Sequence, residues 1–120
     1  MNETCKKVKE IVLSILFPKR CTFCEELMPP TTSVCVCAEC MNNLPFCLAY
    51  NRCRICGKPV EQGEKECAHC RTEKIRYYTK ISAAYIYKES VRESILKFKN
   101  ERYSVYAHTF AEHLKIVVEN

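Results

Sequence analysis

The chain of 120 residues has no tryptophan and only two glycines, Gly57 and Gly63. With both glycines six residues apart, no backbone freedom is left elsewhere for a glycine-rich phosphate loop. Long apolar runs are also missing. The stretch Ile11–Phe17 is far too short to span a bilayer. It leads into Pro18-Lys19-Arg20-Cys21 rather than a small-residue cleavage site, so it does not read as a signal peptide. A cytoplasmic, reducing location is expected, which favours thiolate–metal chemistry over disulfides. Residues 72–120 contain no cysteine, glycine or proline, so that segment has neither staples nor breakers.

Eleven cysteines are present, ten of them in residues 19–71 with four of the five prolines and both glycines. A short chain this rich in cysteine, with a thin carbon core, calls for staples. Eight of the cysteines form four pairs: Cys21-x-x-Cys24, Cys37-x-x-Cys40, Cys53-x-x-Cys56 and Cys67-x-x-Cys70. A two-residue spacing curls the backbone so that both sulfurs reach one tetrahedral metal, and four thiolates suit zinc. Two zinc ions are expected, in preference to an iron–sulfur cluster. Sequential sites, the first pair with the second and the third with the fourth, would give two stacked ribbons. Interleaved sites would give a cross-braced module. The stretch Cys53-Arg54-Ile55-Cys56-Gly57-Lys58-Pro59 reads as a knuckle that opens a hairpin, which favours the sequential arrangement. The histidine common in cross-braced modules could here only be His69. Cys5, Cys35 and Cys47 are left over and read as small buried residues or free thiols. Cys35 stands close enough in sequence to replace Cys37. No histidine is placed to activate a cysteine nucleophile; His108 and His113 do not share a helical face.

The formal charge is +5. A four-thiolate zinc site carries −2, so two of them bring it to +1, and most of the basic balance disappears.

Around the cysteines, three regions are expected: an N-terminal amphipathic helix in 1–18, a double zinc ribbon in 19–71, and a strand-helix-helix segment in 72–120. In the first, Val8, Ile11, Val12, Ile15 and Leu16 form a helical stripe with lysines on the other side. It is expected to pack on the rest of the protein rather than lie on a membrane surface. In the third, Ile81, Ala83, Tyr85 and Tyr87 alternate, predicting a strand over 80–87. Glu89–Asn100 predicts a helix with Val91, Ile95 and Phe98 on one face. Tyr103–Val118 predicts another, with a stripe of Tyr103, Ala107, Phe110, Leu114 and Val117, capped by Ser104 or Asn100.

The order of these motifs resembles the ComF family of bacterial proteins linked to DNA uptake. The resemblance rests on the apolar helix ending in Pro18, the four Cys-x-x-Cys pairs, Asn43-Leu44-Pro45-Phe46, Cys53-Arg54-Ile55-Cys56-Gly57-Lys58-Pro59, and the run Ala83–Lys99 with its Val91-Arg92 and Ile95-Leu96-Lys97-Phe98-Lys99. Glu25 departs from it, because the first knuckle often has glycine there; Cys47 is also unusual. The resemblance implies a double zinc ribbon before a phosphoribosyltransferase-like α/β domain, and it covers about the first half of such a protein. The family's adjacent acids and Thr-Thr-Gly turn, which bind phosphoribosyl pyrophosphate, have no counterpart here: the only adjacent acids are Glu25-Glu26, beside a knuckle. A truncated start of the transferase domain, inactive alone, is therefore expected, with no catalytic residue. The resemblance implies as partners the DNA-uptake helicase, the missing transferase half, or single-stranded DNA.

A second reading is a binding module. Arg52, Arg54, Lys58, Arg71, Lys74 and Arg76 flank the second ribbon beside Tyr77 and Tyr78, a mixture that suits single strands. The plainer alternative for these residues is a solvated charged surface. A third reading is structural: the C-terminal stripe wants a cover, and self-association through that helix would supply it.

Overall fold

A computed structural model describes residues 2–101 and 103–120. Among these residues the helices in chain order are α1 (Glu3–Leu16), α2 (Ala38–Asn43), α3 (Ala68–Thr72), α4 (Glu89–Asn100) and α5 (Tyr106–Glu119), with a 3-10 turn at Cys47–Ala49. α2 and α3 are short helices that begin inside the second cysteine pair of each ribbon, capped by Cys37 and Cys67 and containing Cys40 and Cys70.

The expected strand over 80–87 does not form, and the α/β start of a transferase domain is not supported. Among the described residues there is no strand, only three isolated antiparallel bridges. The β-rich composition of 80–87 finds no neighbouring strand long enough to pair with it. The segment instead clips the two ribbons together. The Ile81 N–H donates to the Ile55 carbonyl of the second ribbon at 2.6 Å. Around the Phe46–Tyr85 bridge, Cys47 N–H donates to Ala84 O at 2.9 Å and Ile86 N–H to Pro45 O at 2.8 Å.

One main core joins the first ribbon to the C-terminal helices. Cys21, Phe23, Val36, Leu44 and Val91 are buried in it, with Tyr85, Ile95 and Phe110 packed around them. Phe23 meets Tyr85 and Phe110 edge-on at centroid distances of 5.8 and 6.3 Å, and Phe98 meets Phe110 at 5.7 Å. Thus Val91 and Ile95 of α4 face inward as their spacing predicts, with Phe98 at the edge.

The stripe on α5 differs in part from expectation. Phe110 and Val117 face inward as expected, but Ala107 and Leu114 are exposed, and the buried residues are Tyr106, Thr109, His113 and Val117. The buried face is polar because each of its polar groups has a partner: Thr22 Oγ1 bonds Thr109 Oγ1 at 3.0 Å, and Tyr85 Oη bonds His113 Nδ1. The helix starts after Val105 without a side-chain cap, so neither Ser104 nor Asn100 serves.

α1 also departs from expectation. None of its residues is buried, and it does not pack on the rest of the protein. The molecule is elongated, 62 × 28 × 27 Å. Among the described residues no helix is long and apolar enough to cross a membrane.

Candidate metal centre

Each ribbon builds its site from the same local bonds. In the first knuckle, Cys21 N–H donates to Glu26 O and Glu25 N–H to Cys21 O; in the second, Cys53 N–H donates to Lys58 O and Gly57 N–H to Cys53 O. Beyond each knuckle the chain returns on itself at the Arg20–Leu27 and Arg52–Pro59 bridges. The return arm is tied on by Thr22 N–H to Cys35 O at 2.8 Å, and by Arg54 N–H to Lys65 O at 2.9 Å. Cys37 and Cys67 then cap their helical turns, each sulfur accepting from the backbone of the cysteine three residues on, at 3.4 Å. The turn aims both sulfurs of the second pair at the knuckle.

The thiols gather sequentially. Cys21, Cys24, Cys37 and Cys40 form one group and Cys53, Cys56, Cys67 and Cys70 the other, with all ligand atoms in a group within 4.8 Å of one another. Cys24 and Cys37 stand 3.6 Å apart at sulfur, as do Cys56 and Cys67. A tetrahedral zinc with Zn–S bonds of about 2.3 Å needs sulfurs about 3.8 Å apart, so the donor sets fit two zinc ions. Backbone donors orient the sulfurs further: Cys37 N–H reaches Cys21 Sγ at 3.4 Å.

The electrostatics suit a cation at the centre of each group. Burial alone would raise the Cys21 thiol. The N–H groups of Cys37, Cys24 and Phe23 outweigh it and bring the pKa down to about 7. Cys53 is likewise opposed by burial yet held at about 6 by the N–H groups of Cys56, Cys67 and Ile55. Cys70 is pushed up to about 12 by burial and then by its three neighbouring sulfurs, and Cys40 is raised for the same reasons. Four thiolates therefore cannot coexist in either group without a compensating charge, and zinc supplies it. Both sites are closed by four protein ligands. They leave no open position for a metal-bound water, so the metal's contribution is structural.

The remaining cysteines lie outside both groups. Cys5 is exposed on α1, Cys35 is half-buried and does not replace Cys37, and Cys47 is buried, with its thiol raised by that burial. His69 is no part of either quartet; it points to Glu73 at 3.5 Å. His108 is exposed and His113 is committed to Tyr85.

The residues expected to meet nucleic acid divide in two. Arg54 donates through Nε to Glu66 at 2.7 Å, and Arg71 pairs with Glu64 at 2.7 Å. Those two charges are met within the ribbon itself. Arg52 is half-buried in the bridge to Pro59. Lys58, Lys74 and Arg76 are exposed and in no ion pair among the described residues. Tyr77 is 98% exposed, and Tyr78 less so.

Two features escaped the sequence reading. One is the polar seam where Ser94 Oγ donates to Thr22 O at 2.7 Å, beside the Thr22–Thr109 pair. The other is Glu25, which holds φ +64° and meets Lys97 of α4 at 2.9 Å. The missing glycine after Cys24 was the available signal for the second; nothing in the pattern of Thr22 announces the first.

The family model of the double zinc ribbon domain matches residues 12–71, half of the 120 residues. No curated protein and no solved structure matches the chain significantly. With both cysteine quartets closed inside the matched span, the chain belongs to the double zinc ribbon domain family.

Proposed function

We propose that the chain is a binding module rather than a catalyst, the zinc-ribbon part of a ComF-like protein, and that it takes single-stranded nucleic acid along residues 74–78. The observation that carries this is Tyr77, an aromatic ring left in water within the wholly exposed run 71–80 and flanked by Lys74 and Arg76. A ring with that exposure adds nothing to folding. Beside two cations it has the composition of a stacking platform with phosphate contacts. The zinc-fixed second ribbon gives it a firm base through the Ile81–Ile55 bond.

The ComF-like ancestry rests on the motif order, and a non-catalytic role on the closed metal sites and the placement of both glycines in the second ribbon. Millimolar phosphoribosyl pyrophosphate should leave the melting temperature unchanged; a saturable shift would sink the non-catalytic reading. The binding reading is tested by anisotropy of a labelled oligothymidine at two salt concentrations. Tyr77→Ala should weaken binding about fivefold or more. Removing Lys74 or Arg76 should lower the salt slope by about one each. Absent binding, or binding indifferent to salt, removes the idea.

A further inference from the structure

Helix α1 presents two unlike sides. Lys7, Glu10, Ile11, Leu13 and Ser14, with Phe17 just beyond the helix, line a groove of about 780 Å³ facing Lys19, Pro30 and Thr31 of the first ribbon. At 3.6 residues per turn, the stripe of Val8, Val12, Ile15 and Leu16 points away from that groove. All four are exposed, Ile15 at 72%, as is Ile11. The body of the protein therefore cannot cover the stripe from where it sits.

The charges say what can. Lys7 and Lys9 stand at the two edges of the stripe, whereas Glu10 lies on the opposite side of the helix. If two copies paired through this stripe, lysine edges would meet lysine edges. A helix of 14 residues would also bury much less than the roughly 800 Å² per partner of a stable complex. An anionic surface answers both points: its charges meet the lysine edges, and its acyl boundary accepts the apolar side chains.

We propose that α1 lies in the interface of an anionic phospholipid bilayer, with Val8, Val12, Ile15 and Leu16 inserted and Lys7 and Lys9 reaching the headgroups. The helix rests on the surface and does not span it.

The test is co-sedimentation of the full, zinc-loaded chain with vesicles of phosphatidylglycerol and phosphatidylcholine, against phosphatidylcholine alone. Binding is expected to the anionic vesicles only. Ile15→Glu should weaken it about tenfold or more while two zinc per chain are retained. Lys7→Ala and Lys9→Ala should each cost about fivefold at low salt. Three outcomes overturn the proposal. One is no sedimentation with anionic vesicles. Another is loss of binding in a Lys74→Glu, Arg76→Glu double variant together with full binding by Ile15→Glu, which would assign the contact to the second ribbon. The last is a dimer in light scattering that Ile15→Glu dissociates, without vesicle binding, which would make a second copy the cover.

Discussion

The two ribbons share a scaffold bond for bond, yet they stand in different surroundings. Position for position, Thr22 and Phe23 of the first knuckle correspond to Arg54 and Ile55 of the second. Thr22 is buried against Thr109 and Ser94, and Phe23 against Tyr85 and Phe110. Arg54 reaches over the surface to Glu66, and the cluster around Ile55 consists of the four cysteines and Val60. One ribbon is held by metal and by an apolar core; the other is held almost entirely by metal. A zinc site can thus be the whole core of one unit and only an anchor in its twin.

The largest test separates the two sources of stability. Cys53→Ser should reduce bound zinc from two to one and unfold residues 51–72 alone. Hydrogen exchange should show α4 and α5 still protected. Cys21→Ser should also lose one zinc, but protection should fall across α4 and α5 too, because their core includes the first knuckle. Structural zinc contributes about 10 kcal/mol or more to such small units, so both losses should be complete at ordinary zinc concentrations. Equal loss of α4 and α5 protection in the two variants would abolish the distinction.

A smaller test leaves the metal alone. Phe23→Ala empties the centre of an aromatic cluster and should cost about 3–5 kcal/mol. Ile55→Ala lies beside the second site with few apolar neighbours to abandon, and about 2 kcal/mol is expected. Denaturant midpoints at fixed free zinc check the order. The reverse order would mean that the second ribbon depends on side-chain packing after all.

What the sequence made legible follows the same division. Thiol pairs at fixed spacing show the metal sites directly, since two intervening residues leave the chain few ways to place both sulfurs. The helix over 89–100 was visible because Val91 and Ile95 are apolar and face inward. The inward face of α5 was not, because Thr109 and His113 are buried through hydrogen bonds that only the folded chain supplies. The strand over 80–87 failed for a related reason: its composition suits a sheet, and the fold offers it only the short stretch around Phe46. Nothing local could show that the α1 stripe would face away from the protein.

That hidden polar face adds a pH response on the first ribbon's side. Burial lowers the pKa of His113, with nearby Glu112 opposing the shift. The unfolded chain therefore takes up a proton below about pH 6.5 that the folded chain resists. Stability contributed by the neutral ring is full above that value and is lost as the pH falls towards the folded pKa. His113→Gln should flatten the stability profile between pH 7 and 5 relative to wild type. Proton competition for the zinc thiolates is common to both proteins and cancels in the difference. Identical profiles would show that the His113–Tyr85 contact does not govern acid stability.

The last contrast lies at the residue after each knuckle, where both ribbons require left-handed backbone: φ +64° at Glu25 and +73° at Gly57. The second ribbon uses glycine, and a Cβ there would come within 3.1 Å of the Ile81 carbonyl oxygen. Gly57→Ala should therefore cost about 2 kcal/mol, from left-handed strain and from loosening the segment that joins the ribbons. The first ribbon tolerates a glutamate, at a strain of roughly 1 kcal/mol. Its carboxylate, held below the usual range by Lys97, ties the knuckle to α4. That pair is partly exposed and contributes about 0.5 kcal/mol. Glu25→Gly relieves the strain, loses the pair and adds freedom to the unfolded chain, so the melting temperature should hardly move. Lys97→Ala should then lower stability in the wild type but not in Glu25→Gly. If it costs the same in both, Glu25 does not join the ribbon to the helix, and its backbone strain goes uncompensated.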